Sequence, residues 1–168
     1  MSLSMYQASV PVFVRMLDNL SAILKKAEAY AEAKKIDPSV LITSRLAPDM
    51  HPLARQIQIA TDGVKGGAAR LAGVEIPSFP DTETTFAELQ ERLAKTVAFL
   101  KTLTAEQIDG SEARTITLKL GGGEMSFPGQ VYLFSLVFPN FYFHATTTYL
   151  ILRHNGVELG KMDFLGGV

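Results

Sequence analysis

Apolar residues recur at three- and four-residue spacing from Val12 to Ala33, through Phe13, Met16, Leu17, Leu20, Ile23, Leu24, Ala27 and Tyr30. Arg15, Asp18, Lys25, Lys26 and Glu32 fall between them. A period of this kind predicts one long amphipathic helix with a single buried stripe. Its start has two readings: at Ser4, with Pro11 inside the helix and bending it, or at Ser9, with Pro11 in the first turn where a missing N–H is tolerated. Asp37-Pro38 reads as the cap and first residue of a short helix ending near Leu46, and Ala47-Pro48-Asp49 as a connector. Pro52 drives His51 out of helical geometry, so a second long helix starts there and runs to Leu71, closed by Gly73. After a linker from Val74 to Thr84, Thr85 and Glu88 form a capping box. Phe86, Leu89, Leu93, Val97 and Leu100 give the buried stripe of a third helix, with Glu91, Arg92, Lys95 and Lys101 expected on its solvated side. Thr104-Ala105-Glu106-Gln107 repeats a helix-start signal for one turn only.

The period then changes. Arg114 to Leu120 alternates in steps of two and is rich in β-branched side chains, and Gly121-Gly122-Gly123 turns it back into Glu124-Met125-Ser126-Phe127, a small hairpin. From about Gly129 to His154 the chain is apolar nearly all round, which predicts a fourth long helix, broken or kinked at Pro139 and stopped by Asn155-Gly156. Pro139, Asn140 and His144 interrupt the most apolar run, Val131 to Tyr149, so a buried helix explains it better than a membrane span. Four long helices and one hairpin, with no internal repeat, make an all-α bundle in a single domain over residues 1–168.

Composition narrows the partners. Sixteen basic and 17 acidic side chains leave a net charge of −1, whereas nucleic acid or an anionic membrane calls for a one-sided basic excess, so neither is expected. The absence of cysteine excludes a disulfide framework, a thiol nucleophile and cysteine-ligated metal, and fits a reducing compartment. Met1 to Gln7 lacks a basic segment followed by an apolar core, so no signal peptide is expected and the cytoplasm is the expected location.

The candidate chemistry lies in the fourth helix. Asn140, His144 and Thr148 are spaced four apart and share one helical face among aromatic neighbours. A buried imidazole there is either satisfied by a hydroxyl or carbonyl, or serves as a metal ligand or general base. His154 lies ten residues further on, about 15 Å along a continuous helix, so one mononuclear site does not use both; with Arg153 it suits the last-turn carbonyls. His51 is either a simple helix-start residue or points into the end of the bundle. Gly63, Gly66 and Gly67 each cost about 1 kcal/mol relative to alanine in a helix interior, which predicts close helix packing or room for a ligand. The three-glycine turn lacks the following helix and Lys-Ser/Thr pair of a phosphate loop. No His-Glu-x-x-His run, Gly-x-Ser-x-Gly elbow, dinucleotide fingerprint or di-iron carboxylate set occurs.

The ending runs Asn140-Phe141-Tyr142-Phe143-His144, Leu152-Arg153-His154-Asn155-Gly156-Val157 and Gly160-Lys161-Met162-Asp163-Phe164-Leu165-Gly166. Together with Tyr6-x-x-Ser9-Val10-Pro11 and Leu46-Ala47-Pro48-Asp49-Met50-x-Pro52-Leu53-x-x-Gln56, it resembles a branch of the DinB/YfiT-like superfamily over essentially the whole chain. The resemblance implies an up-down-down-up four-helix bundle, often dimeric. Metal-binding members of that superfamily take one histidine from the second helix and a His-x-x-x-His pair from the fourth. Arg153 looks like the arginine that ends this motif, which puts His144 at the second position of the pair and Asn140 at the first. The second helix offers Gln56 or Gln58 in place of its histidine, with His51 at the entrance. The implied site is therefore His144, Asn140, Gln56 and Thr148, with His144 as a metal ligand and zinc or nickel held weakly. The expected protein is a homodimeric bundle that binds a small molecule or serves as a structural domain around a degenerate metal site. The alternative is a metal-dependent transferase or hydrolase acting on a small molecule, by analogy with thiol-dependent transferases among relatives carrying the full triad.

Overall fold

A computed structural model describes residues 3–120 and 122–167, so Met1, Ser2, Gly121 and Val168, and with them part of the predicted glycine turn, lie outside the described residues. The first helix, α1 (Met5–Lys34), takes the earlier of its two predicted starts. Ser4 Oγ accepts from Gln7 N while Gln7 Oε1 accepts from Ser4 N, each at 3.2 Å, a reciprocal capping box. Pro11 therefore sits inside the helix. The carbonyl it leaves without an intrahelical partner belongs to Gln7, an exposed residue, so the loss falls on the solvent side of the helix.

Asp37 caps α2 (Pro38–Thr43), which is shorter than expected because Ser44 is already extended. Ser44 instead accepts a hydrogen bond from Leu53 N at 3.0 Å, tying the connector to the start of α3 (Leu53–Ala72). Gly73 closes α3 in the left-handed region, with φ +71°. The Thr85–Glu88 capping box opens α4 (Phe86–Thr102), and α5 (Ala105–Ile108) is the expected single turn. The hairpin pairs β1 (Thr115–Leu120) with β2 (Gly123–Pro128) antiparallel, Ile116 opposite Phe127 and Leu118 opposite Met125. Ile116 and Leu118 point inward, and the Arg114 guanidinium holds the Leu71 carbonyl at the end of α3.

The fourth long helix is built in three pieces: α6 (Gly129–Tyr132), a π turn at Leu133–Val137, and α7 (Phe138–His154). Pro139 cannot donate to the Ser135 carbonyl and its ring would crowd that oxygen. The wider turn, in which Phe138 N donates to Leu133 O, accommodates both problems without ending the helix. A last short helix, α8 (Lys161–Leu165), returns to α1 through the Lys26–Asp163 ion pair at 2.6 Å.

Contacts between helices fix their directions. On α1, Phe13 meets Phe138 and Phe141, and Tyr30 Oη reaches Asn155 O, so α1 and α7 run parallel. Gln56 of α3 meets His144 while Gly67 meets Val137, so α3 runs against α7. The linker after α3 doubles back until Asp81 pairs with Arg55 and Glu83 with Gln58, which starts α4 beside the first half of α3 and makes the two parallel. Up-down-down-up follows. A Cβ on Gly67 would stand 2.7 Å from Val137 Cγ1, so here the glycine exists for close packing between α3 and the π turn. No helix among the described residues is long and apolar enough to cross a membrane.

Candidate functional site

His144 is 9% exposed, on the face of α7 that packs on α3. Its Nδ1 lies 2.7 Å from Gln56 Oε1, and Gln56 Nε2 donates to the His51 carbonyl at 2.8 Å. A backbone carbonyl only accepts, so it fixes which end of the Gln56 amide faces it and leaves Oε1 for the imidazole. The network thus assigns the proton to Nδ1 and the lone pair to Nε2. Burial first, and then the neighbouring His51 and Arg55, push the His144 pKa below its ordinary value and favour the neutral ring. Nε2 makes no hydrogen bond among the described residues and is not sealed from solvent. The Phe143 ring stands edge-on to the imidazole at 5.2 Å.

The other predicted site residues are distributed differently from their shared face. Thr148 is fully buried and donates its hydroxyl to the His144 carbonyl at 2.9 Å, within its own helix. Asn140, one turn before His144, faces Gly63 of α3, where an added Cβ would stand 3.1 Å from its Nδ2. Asn140 lines a cleft of about 270 Å³ with Asp62, Gly63, Arg70, Tyr132, Leu136 and Val137, closed on the hairpin side by Leu118 and Lys119. His144 is not among the residues that line it. Gln58, the other glutamine considered, faces the linker and donates to Glu83 Oε2 at 2.9 Å. His51 is exposed at the start of α3 and contributes its carbonyl to the relay. His154 is exposed in the last turn, where Asn155 Nδ2 rather than an imidazole caps the Ile151 carbonyl at 2.7 Å.

One charged group lies opposite to expectation. Arg92, expected on the solvated side of α4, is 2% exposed. Its Nε donates to Thr61 Oγ1 at 2.8 Å, and its Nη1 donates to Glu83 Oε1 at 2.9 Å and to the Pro80 carbonyl at 3.1 Å. Its Nη2 stands 3.0 Å from both Asp62 Oδ1 and Asp81 Oδ1, within ion-pair range but without hydrogen-bond alignment to either. Lys65 shares Asp62 at 2.8 Å and lies 4.0 Å over the Phe79 ring. Apolar periodicity marks the face of a helix, whereas the carboxylates that make Arg92 tolerable inside come from a linker folded back over it. Arg70 and Tyr132 were likewise not singled out; the spacing of four between Gly66 and Arg70, which lays the guanidinium over a residue without a side chain, was the available signal.

The donor set around His144 does not make a three-nitrogen metal centre. It offers one free imidazole nitrogen, an amide oxygen already spent on Nδ1, and a second amide that faces the cleft. Among the described residues no three His, Asp or Glu side chains group to hold a metal ion. Zinc and nickel favour several nitrogen or sulfur donors, and neutral amide oxygens are poor replacements.

Comparison with known proteins gives this arrangement a lineage. A crystal structure at 1.83 Å of a DinB family member protein from Shewanella denitrificans is 44% identical in sequence, covers 97% of this chain and 92% of its own, and superposes with a TM-score of 0.90. No curated protein matches the chain. The family model described as "Domain of unknown function (DUF1993)" matches residues 5–165. With the fold and nearly the full length accounted for, the chain belongs to the DUF1993 family of DinB-like four-helix bundles.

Proposed function

We propose that the protein is a cytoplasmic, homodimeric, small-molecule-binding bundle in which a hydrogen-bond relay occupies the position of the metal centre that relatives with a full histidine set carry. The observation behind this reading is that both ends of the Gln56 amide are engaged by the protein, Oε1 by His144 and Nε2 by the His51 carbonyl. The relay locks α7 to the start of α3 and leaves the adjoining cleft, with Asn140 in its wall, as the place for a ligand. Exposed Val131 and Phe134 support association through the outer face of the fourth helix.

A second reading is favoured by one feature of the same site. His144 carries an unpartnered Nε2 on a ring kept neutral, with its Nδ1 proton held by an amide, the kind of hydrogen bond that orients a metal-bound or proton-accepting histidine. On that reading His144 serves a metal-dependent transferase or hydrolase. Metal analysis of purified, untagged protein separates the two. The first predicts well under one equivalent of zinc or nickel and a melting temperature indifferent to chelator. Stoichiometric metal that disappears in His144→Ala would overturn it in favour of the second.

A further inference from the structure

We infer that the cleft between α3, the π turn and the hairpin is a binding site for a compact organic carboxylate, anchored by Arg70. The inference rests on the small-molecule-binding reading and gives its ligand a chemical class. Arg70 is only partly buried, and among the described residues no carboxylate stands within ion-pair distance of it. Its Nη1 donates to Tyr132 Oη at 3.2 Å and lies over Gly66, where a Cβ would come within 2.7 Å. Any side chain at 66 would push the guanidinium off its bed.

Tyr132, only 3% exposed, accepts that hydrogen bond and so keeps its own phenolic proton to donate. Burial raises the Tyr132 pKa, so the phenol stays protonated at neutral pH. Asn140 adds an amide that lines the same cleft and makes no side-chain hydrogen bond among the described residues. An unpaired guanidinium, a phenol and an amide therefore converge on one space, and Leu136 and Val137 give it an apolar wall.

Charge and size select the ligand. Asp62 also lines the cleft, but Lys65 at 2.8 Å and Arg92 at 3.0 Å already hold its Oδ1, so the uncompensated charge is that of Arg70. One guanidinium with two neutral hydrogen-bonding groups suits a planar monoanion, which the fork of an arginine recognises in its plane. A phosphate dianion calls for more positive charge than this. The volume of about 270 Å³ is at the low end for small-molecule pockets and fits a metabolite-sized acid with an apolar body.

Amide NMR titration of the full chain with benzoate, benzamide and inorganic phosphate tests the inference. Benzoate is expected to shift the amides of Gly63, Gly66 and Asn140 and to bind about tenfold more tightly than benzamide, the difference vanishing in Arg70→Met. Tyr132→Phe, which keeps the ring and removes one donor, should weaken benzoate. Phosphate binding as well as benzoate would overturn the carboxylate assignment. Benzamide binding as well as benzoate, with both lost in Gly63→Leu, would overturn it while leaving the small-molecule cleft standing. A cleft whose amides respond to none of the probes would overturn both.

Discussion

His144 Nδ1 and Gln56 Oε1 stand 2.7 Å apart across the seam between α3 and α7, and neither atom has another protein partner among the described residues. Removing either group leaves the other buried and unpaired. His144→Ala should therefore lower stability by about 1–3 kcal/mol, and Gln56→Ala by a similar amount. The double variant should lose less than the sum, because the second removal deletes a group already orphaned. His154→Ala, in solvent, should stay within about 0.5 kcal/mol of the parent. Denaturant midpoints measure all four, and unchanged midpoints for His144→Ala would remove the relay.

The same burial gives a pH signature. The folded-state pKa of His144 lies below its unfolded value, so in acid the unfolded chain binds the proton that the folded chain resists. Stability should be unaffected by this group above about pH 6.5, the unfolded value, and should fall as the pH drops from there toward the folded pKa. Gln56→Glu places a carboxylate against Nδ1 and should raise the His144 pKa, shrinking this loss or, if the folded value passes the unfolded one, reversing it. Histidine NMR titration of both proteins reads the shift directly. An imidazole that titrates at its ordinary value in the parent would contradict its enclosure.

What the sequence made legible, and what it hid, follows from range. The capping box at Thr85, the Gly73 stop and the alternation of β1 are local, each decided within a few residues, and each appears in the structure where its signal stands, whereas the sequence left the start of α1 open between Ser4 and Ser9. The pairing of His144 with Gln56 was approachable because helix order brings the second helix against the fourth. The separation of Asn140 from His144 was not, since a shared face says nothing of which residue on the facing helix lacks a side chain. The π turn left only Pro139 as its trace, because a five-residue hydrogen bond has no composition of its own.

Glycines that look alike in sequence should respond differently to alanine. At Gly67 the added methyl meets Val137 across a packed seam, so Gly67→Ala should destabilise by about 1–3 kcal/mol through overpacking. At Gly66 the obstacle is the far end of the Arg70 side chain, which can swing away. Gly66→Ala should be neutral or stabilising by up to about 1 kcal/mol, the helix-propensity gain. Thermal unfolding of the two variants checks the ordering, and equal losses would refute the packing account.

Arg92 fastens the linker. Replacing it with methionine keeps much of the volume but leaves Glu83, Asp81 and Asp62 facing one another without their shared cation. The loss should be about 3 kcal/mol, at the lower end for a broken buried ion pair because Asp62 and Asp81 remain partly in water. Limited proteolysis should then cut between Val74 and Thr84 faster than in the parent. A stable variant with an intact linker would mean that apolar packing, not charge, holds this segment down.

The outer side of the fourth helix carries more apolar surface than the bundle uses. Phe134 is 47% exposed and Val131 43%, with the Phe134 ring 5.6 Å from Phe138 and Phe138 stacked on Tyr142 at 5.9 Å. Contiguous exposed aromatics on a globular domain mark a surface that something covers, and a second copy meeting it about a twofold axis hides the same side chains on both partners. Light scattering at micromolar concentration should report a dimer, and Phe134→Asp should shift it to monomer with its helical spectrum intact. A monomeric parent protein would defeat the prediction outright, while a dimer untouched by Phe134→Asp would move the interface to another face.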